Sequence, residues 1–217
     1  MDVSDVLKRM AEGFFKKLDA SGLYEAGKEL VKRACCFAAN AHYGQKRFSG
    51  EDFIFHLLAV AELLLDIGQS AVVIAAGVLH DTVEDTRVTI AEIRQYFGPE
   101  VAFLVDGMTK VGDQDTVYRA KLIAAAEKDY RVVLVRLADR IHNMRTLEFL
   151  PARKRQSVAE ETLEFHIPLA KKFIPAEELE KISLWPEELK SLSRKYVQPT
   201  LSFSLDRGST APCLSAI

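Results

Sequence analysis

The chain has 217 residues and 24.3 kDa, with 48% hydrophobic and 28% charged side chains. That is enough for one domain with a full core, and it excludes disordered, collagen-like and disulfide-stapled classes. With 29 basic against 31 acidic side chains the net charge is −2, so no global field draws nucleic acid and any phosphate binding has to be local.

The longest uncharged apolar run, Ala71–Leu79, falls far short of the ~20 residues that cross a bilayer. Met1–Leu18 carries Asp2, Asp5, Lys8, Arg9, Glu12, Lys16 and Lys17, unlike a secretory leader. A cytoplasmic protein with neither a membrane nor a nucleic-acid partner is expected; self-association is left open. Cys35, Cys36 and Cys213 have neither zinc spacing nor an even disulfide set, and are read as reduced bystanders.

Ser4 can cap a first helix whose apolar positions Leu7, Met10, Ala11, Phe14 and Leu18 follow the 3.6-residue period up to Gly22. A second helix is expected from about Tyr24 to His42, then a loop over Gly44–Glu51. Asp52–Ile67 and Ser70 to about Asp85 read as two helices split by Gly68. Thr89–Ile90–Ala91–Glu92 fits a capping box for a short helix stopped at Gly98–Pro99, with another from Glu100 to Val111. Thr116–Asp129 reads as helical. The run Arg131–Leu137 is rich in β-branched residues and would suit a buried strand. No partner run or hairpin signal appears elsewhere, so it is assigned to a buried central helix reaching about Leu147. A long helix from Pro151 to Phe173, bent or offset at Pro168, and shorter ones over Ala176–Ser183 and Pro186–Tyr196 complete an all-α domain, 1–197. Residues 198–217 lack apolar period and read as a flexible tail.

Ionisable residues concentrate in three places. His80–Asp81–Thr82–Val83–Glu84–Asp85 ends an apolar helix; if that helix continues, Glu84 lies one turn from His80 and Asp85 one turn from Asp81. Crowded carboxylates call for a cation, unless the segment is simply a solvated acidic helix end. In Leu137–Thr146, the residues Asp139, Asn143 and Thr146 share one face; Asp139 either serves a site or pairs with Arg136, Arg140 or Arg145. Arg47–His56 is a basic, glycine-containing loop leading into a helix, suited to phosphate oxygens. His42 and His142 are read as structural and His166 as an ordinary helix residue.

His56, His80–Asp81 and Asp139, in that order, match the pattern of the HD-domain metal-dependent phosphohydrolases. More narrowly, Ala41–Arg47, Ser49–Glu51, His80–Thr86, Phe97–Gly98, Val105–Lys110 and Leu137–Leu147 resemble the hydrolase domain of the RelA/SpoT homologues, with the likeness covering about residues 24–172. The resemblance implies an all-helical HD-domain bundle that removes pyrophosphate from the 3′ position of ppGpp-type alarmones with Mn²⁺. A chain of this length is similar to the single-domain small alarmone hydrolases. By that resemblance His56, His80, Asp81 and Asp139 hold the metal, while Glu84 and Asp85 position or deprotonate the attacking water. Arg47, Asn143, Thr146 and Leu150 fall where the family holds the nucleoside, and Lys154 and Arg155 are candidates for phosphate contacts.

The residue chemistry is consistent with these roles. Two imidazoles and two carboxylates suit Mn²⁺, Fe²⁺ or Zn²⁺ better than Ca²⁺. A polyphosphate would be met by local bases such as Arg47, Lys110, Arg140 and Lys154. Two departures stand out. Asp52–Phe53 and Leu57 replace prolines and a tyrosine usual in the family, which predicts a less rigid loop. Phe48 replaces a lysine set against the base, which predicts weak guanine selectivity or an adenine preference, as for ppApp. Other phosphohydrolase activities on the same scaffold, such as an NADPH 2′-phosphatase, form the alternative reading.

Overall fold

A computed structural model describes residues 3–110 and 115–197. They form α1 (Val3–Ala20), α2 (Glu25–Ala41), α3 (Ile54–Asp66), α4 (Ala71–Leu79), α5 (Thr82–Asp85) and α6 (Ile90–Met108). After these come α7 (Asp115–Ala126), α8 (Arg131–Arg145), a 3₁₀ turn (Leu147–Phe149), α9 (Ala152–Glu161), a π-helical segment (Thr162–His166), α10 (Ile167–Phe173), α11 (Ala176–Lys181) and α12 (Leu184–Arg194). Among the described residues there is no strand beyond one isolated bridge between Lys46 and Asp52. No described helix is long and apolar enough to cross a membrane. The tail reading for 198–217, and Val111 at the end of the expected Glu100–Val111 helix, lie outside the described residues.

α4 is the centre of the bundle. It packs against α2, α3, α6 and α8, and every residue from Val73 to Leu79 is buried. A helix enclosed on all sides has no face left for water, so its sequence carries no polar stripe. Gly77 permits the closest approach: a Cβ there would stand 2.5 Å from Leu64 Cδ1 of α3.

α8 is the second enclosed helix, in contact with α3, α4, α6, α7, α10 and α12. Its run Val132–Val133–Leu134–Val135, with Leu137, is buried throughout. Burial of each such side chain contributes about 1.5–3 kcal/mol, enough to override a modest β-branched disfavour for helix. The capping box forms as expected, with the Glu92 carboxylate accepting from Thr89 N at 2.8 Å and Thr89 Oγ1 accepting from Glu92 N at 3.3 Å. The stop at Gly98–Pro99 is a kink within α6, where Gly98 takes φ 90°, a conformation open chiefly to glycine.

One helix differs from expectation, and another is offset where its proline predicted. The stretch Ser70–Asp85 is not continuous: α4 ends at Leu79, and α5 begins at Thr82 after a turn through His80 and Asp81. The His80 imidazole hydrogen-bonds the Gly77 carbonyl at 2.8 Å, competing for the acceptor that a continuing helix would offer to the Asp81 N–H. The long helix Pro151–Phe173 is offset before Pro168, in the π-helical segment Thr162–His166. Pro168 has no N–H to donate, so the register widens ahead of it and the proline falls in the first turn of α10.

Candidate functional site

Helix ends and one helix middle bring the ionisable residues together. His56 stands in the first turn of α3, His80 and Asp81 in the turn after α4, and Asp139 in the middle of α8. His56 Nε2 lies 3.2 Å from Asp139 Oδ1 and 3.5 Å from Asp81 Oδ2; His80 Nε2 lies 3.0 Å from Asp81 Oδ2 and 3.5 Å from Asp139 Oδ1. Ligand distances of 2.0–2.2 Å would place adjacent donors about 3 Å apart, so the four atoms have the spacing of a shared cation shell.

The surroundings aim these atoms inward. His80 Nδ1–H donates to Gly77 O, leaving a buried Nε2 without a hydrogen-bond partner. An orphaned, buried imidazole nitrogen facing two carboxylates is a ligand in want of an ion. His56 Nδ1 lies 2.8 Å from His142 Nδ1, which likewise frees His56 Nε2 for the shared point.

The electrostatics agree. Although burial opposes charge at both carboxylates, His80 and His56 hold Asp81 and Asp139 well below the usual carboxylate range. Burial also opposes charge at His80, yet Asp81 and Asp139 raise its pKa well above the ordinary value. His56, His80 and Asp81 by themselves meet the spacing of a metal-binding group, and Asp139 adds a buried carboxylate. The residues therefore fit a divalent metal.

Glu84 and Asp85 stand at the cleft edge on α5. Glu84 Oε2 accepts from the Lys110 backbone N–H at 3.1 Å, tying α5 to the end of α6. Partial burial, then the charges of Asp81 and Glu84, push the Asp85 carboxyl up to about 6. A carboxylate that takes up a proton close to neutral pH suits general acid–base work.

The cleft, of about 470 Å³, has a size suited to a nucleotide-scale ligand. It is lined by Arg47, Phe48, Asp81, Glu84, Asp85, Lys110, Asp139, Asn143, Thr146, Leu150 and others. Arg47 NH2 donates to Asn143 Oδ1 at 2.7 Å, and Asn143 Nδ2 donates to Asp139 Oδ1 at 2.6 Å, so loop and metal-ligand candidate are joined through one amide. The loop is held without the family's prolines: Arg47 N donates to Glu51 O, Gly50 N to Arg47 O and Phe53 N to Gln45 O, and Lys46 pairs with Asp52 at 2.6 Å. Phe48 turns outward with 68% exposure, and Lys154 Nζ sits 5.6 Å from its ring centre. Arg155 stacks on Tyr196, and neither it nor Lys154 is among the residues lining the cleft.

Several participants escaped the sequence reading. His142, taken as structural, is the hydrogen-bond partner of His56; burial, then the neighbouring His56 and Arg47, lower its pKa to about 3, so it stays neutral. His166, taken as ordinary, is buried against Arg140 and Glu161. Phe149, Val158 and Glu161 also line the cleft, as do Arg140, expected as a local base for a polyphosphate, and Arg136, expected as a possible partner of Asp139 and found paired with it. The signal in the sequence was the placing of Arg136 three residues before Asp139 and four before Arg140.

The HD domain family matches residues 34–173. Over 180 residues the chain is 43% identical to a probable guanosine-3′,5′-bis(diphosphate) 3′-pyrophosphohydrolase of Synechocystis sp., covering 78% of this chain and 22% of that protein. Over 188 residues it is 39% identical to a GTP pyrophosphokinase of Myxococcus xanthus, covering 82% and 24%. The chain thus spans less than a quarter of the length of these curated relatives. A solved structure described as a metazoan orthologue of SpoT that hydrolyses ppGpp shares the fold, with a TM-score of 0.58 and 24% identity over 76% of this chain and 94% of that one. A second, lmo0812 from Listeria monocytogenes, has a TM-score of 0.53 and 23% identity over 66% and 99%. On its family match and its helical architecture, the chain belongs to the HD domain family.

Proposed function

We propose that this protein is a metal-dependent phosphohydrolase that removes pyrophosphate from the 3′ position of guanosine-3′,5′-bis(diphosphate)-type nucleotides. The observation that carries the reading is the convergence of His56, His80, Asp81 and Asp139 on one point, with Glu84 and Asp85 at the edge of the same cleft. Relatives named for reactions of guanosine polyphosphates support the substrate class. The mixed nitrogen and oxygen donor set favours Mn²⁺ or a similar transition ion.

Such an ion would lower the pKa of a bound water and offset charge on the phosphoryl group. The chain's own residues do the rest. Glu84 and Asp85 orient the water and take its proton. The water oxygen bonds to the phosphorus next to the 3′-oxygen; the bond between them breaks, and the 3′-oxygen leaves with a proton. Arg47, Asn143, Thr146 and Leu150 hold the nucleoside side, with Lys110 and Lys154 as phosphate contacts. Arg155 faces Tyr196 and is left out of that set. The outward Phe48 ring supports a base site that stacks on either purine, so adenine analogues fall within the same reading.

Incubating the protein with ppGpp, ppApp and NADPH in Mn²⁺ and identifying the products tests this. Pyrophosphate with GDP or ADP is expected. Orthophosphate from NADPH alone would replace the reading with a 2′-phosphatase.

A further inference from the structure

The cleft-lining face of α8 has a linear order. Asp139 stands at the middle, Asn143 and Thr146 follow toward the C-terminus, and Arg136 stands toward the N-terminus; Arg140, one helical turn after Arg136, shares a face with it beside Asp139, and all of them line the cleft. At 1.5 Å rise per residue, Arg136 lies about 4.5 Å along the axis from Asp139, and Thr146 about 10 Å the opposite way.

Both arginines are held out of water. Arg140 is 4% exposed, and the Arg136 side chain is 12% exposed. Arg136 NH1 donates to Asp139 Oδ2 at 2.9 Å, and Arg140 NH2 donates to Glu161 Oε2 at 2.8 Å and contacts His166. Among the described residues the buried Nε–H of each has no partner, and neither does the hydroxyl of Tyr118. Arg136 and Lys110 both lie against the Tyr118 ring, at 5.3 and 5.6 Å from its centre. Glu161 is paired with Arg140, with Arg119 3.8 Å away.

Burying two guanidinium groups one turn apart, each with an unmatched donor, is costly. Buried ion pairs seldom repay that cost in stability. An anion with several acceptor oxygens would repay it, since a guanidinium presents five N–H donors in a fork that fits phosphate.

We infer that Arg136 and Arg140, with Lys110 beside Arg136 across the Tyr118 ring, form a subsite for the distal phosphate of the pyrophosphoryl group, with Arg136 on the opposite side of Asp139 along α8 from Asn143 and Thr146. The inference rests on the 3′-pyrophosphohydrolase reading. The order along the substrate, nucleoside then scissile phosphorus then distal phosphate, matches the order Thr146 and Asn143, Asp139, Arg136 along α8, with Arg140 one turn from Arg136 on the same face of the helix. When the 3′-oxygen departs, the arginines remain on the pyrophosphate product and offset its charge.

The test is calorimetric binding of inorganic pyrophosphate and of GDP at saturating Mn²⁺, with Mn²⁺ affinity followed separately by electron paramagnetic resonance. Arg136→Met is expected to weaken pyrophosphate binding about tenfold or more while GDP binding stays within about twofold, the scale of a lost charge-assisted hydrogen bond. Arg136→Lys and Arg140→Lys, which keep the charge and spare the fold, should fall between Arg136→Met and the natural protein. Equal weakening of both ligands, or of neither, would overturn the subsite. So would a pyrophosphate defect that disappears once Mn²⁺ is saturating, because Arg136 would then act only through Asp139. If the natural protein releases no pyrophosphate from ppGpp yet binds pyrophosphate through Arg136, the substrate reading fails and the anion subsite stands.

Discussion

The hydrogen bond between His56 Nδ1 and His142 Nδ1, 2.8 Å long, makes a quantitative claim about metal affinity. For His56 Nε2 to face Asp139 and Asp81 as a ligand, its proton has to sit on Nδ1, and His142 has to accept that proton's hydrogen bond. His142 is suited to this because burial and the charges of His56 and Arg47 keep it neutral, with a pKa of about 3. Replacing His142 with Leu removes the acceptor while filling much of the ring's space. A buried donor left unpaired costs about 1–3 kcal/mol. Loss of such an outer partner weakens metal binding by about 10–100-fold, or roughly 1.4–2.8 kcal/mol at about 1.4 per decade. His142→Asn is the discriminating control, because asparagine Oδ1 occupies the place of histidine Nδ1 on Cγ and can accept the same bond. Mn²⁺ titration followed by electron paramagnetic resonance should therefore show a large loss for His142→Leu and substantial recovery for His142→Asn. Equal Mn²⁺ affinity in a folded His142→Leu protein, or an equal loss in both variants, would refute the reasoning.

Glu84→Gln keeps an oxygen for the Lys110 N–H but cannot take a proton, so turnover should fall by about 10²-fold with Mn²⁺ binding retained; wild-type turnover in that variant would reduce Glu84 to a structural tie. Chelation should lower the melting temperature of the natural protein, since an ion at 100 times its Kd contributes about 2.7 kcal/mol, and should leave Asp139→Ala unaffected. Burial, then the charge of Arg140, depresses His166 to about 3, below the ordinary value near 6.5. The unfolded chain therefore binds the extra proton, and stability falls as pH drops from about 6.5 toward 3. His166→Gln keeps an acceptor toward Arg140 without titrating, so its stability measured by urea unfolding should lose part of that acid slope; an identical slope would exclude His166 as a source. Phe48→Ala should raise KM for guanine and adenine substrates alike by about fivefold or more, with little change in melting temperature, because the ring is exposed and stacking contributes about 1–3 kcal/mol; a lowered melting point with unchanged KM would make it a packing residue.

Helix identity was legible in the sequence because it depends on local periodicity, caps and breakers: the α1 stripe of Phe14 and Leu18, the Thr89–Glu92 box and Gly98 act on their near neighbours. The four metal-ligand candidates were legible as well, because His56, His80–Asp81 and Asp139 carry a recognisable order and spacing. Tertiary structure alone decided which polar residues are buried beside them. His142, His166, Arg136 and Arg140 are residue types that on an open helix face would be ordinary solvated groups, and spacing along one helix does not say which face the rest of the chain covers. α8 became a buried hub only because six other helices close around it, which turned Arg136 into the partner of Asp139 and His142 into the partner of His56. The outward turn of Phe48 and the break at His80–Asp81 were decided in the same way, by hydrogen bonds and contacts that form only once distant segments meet.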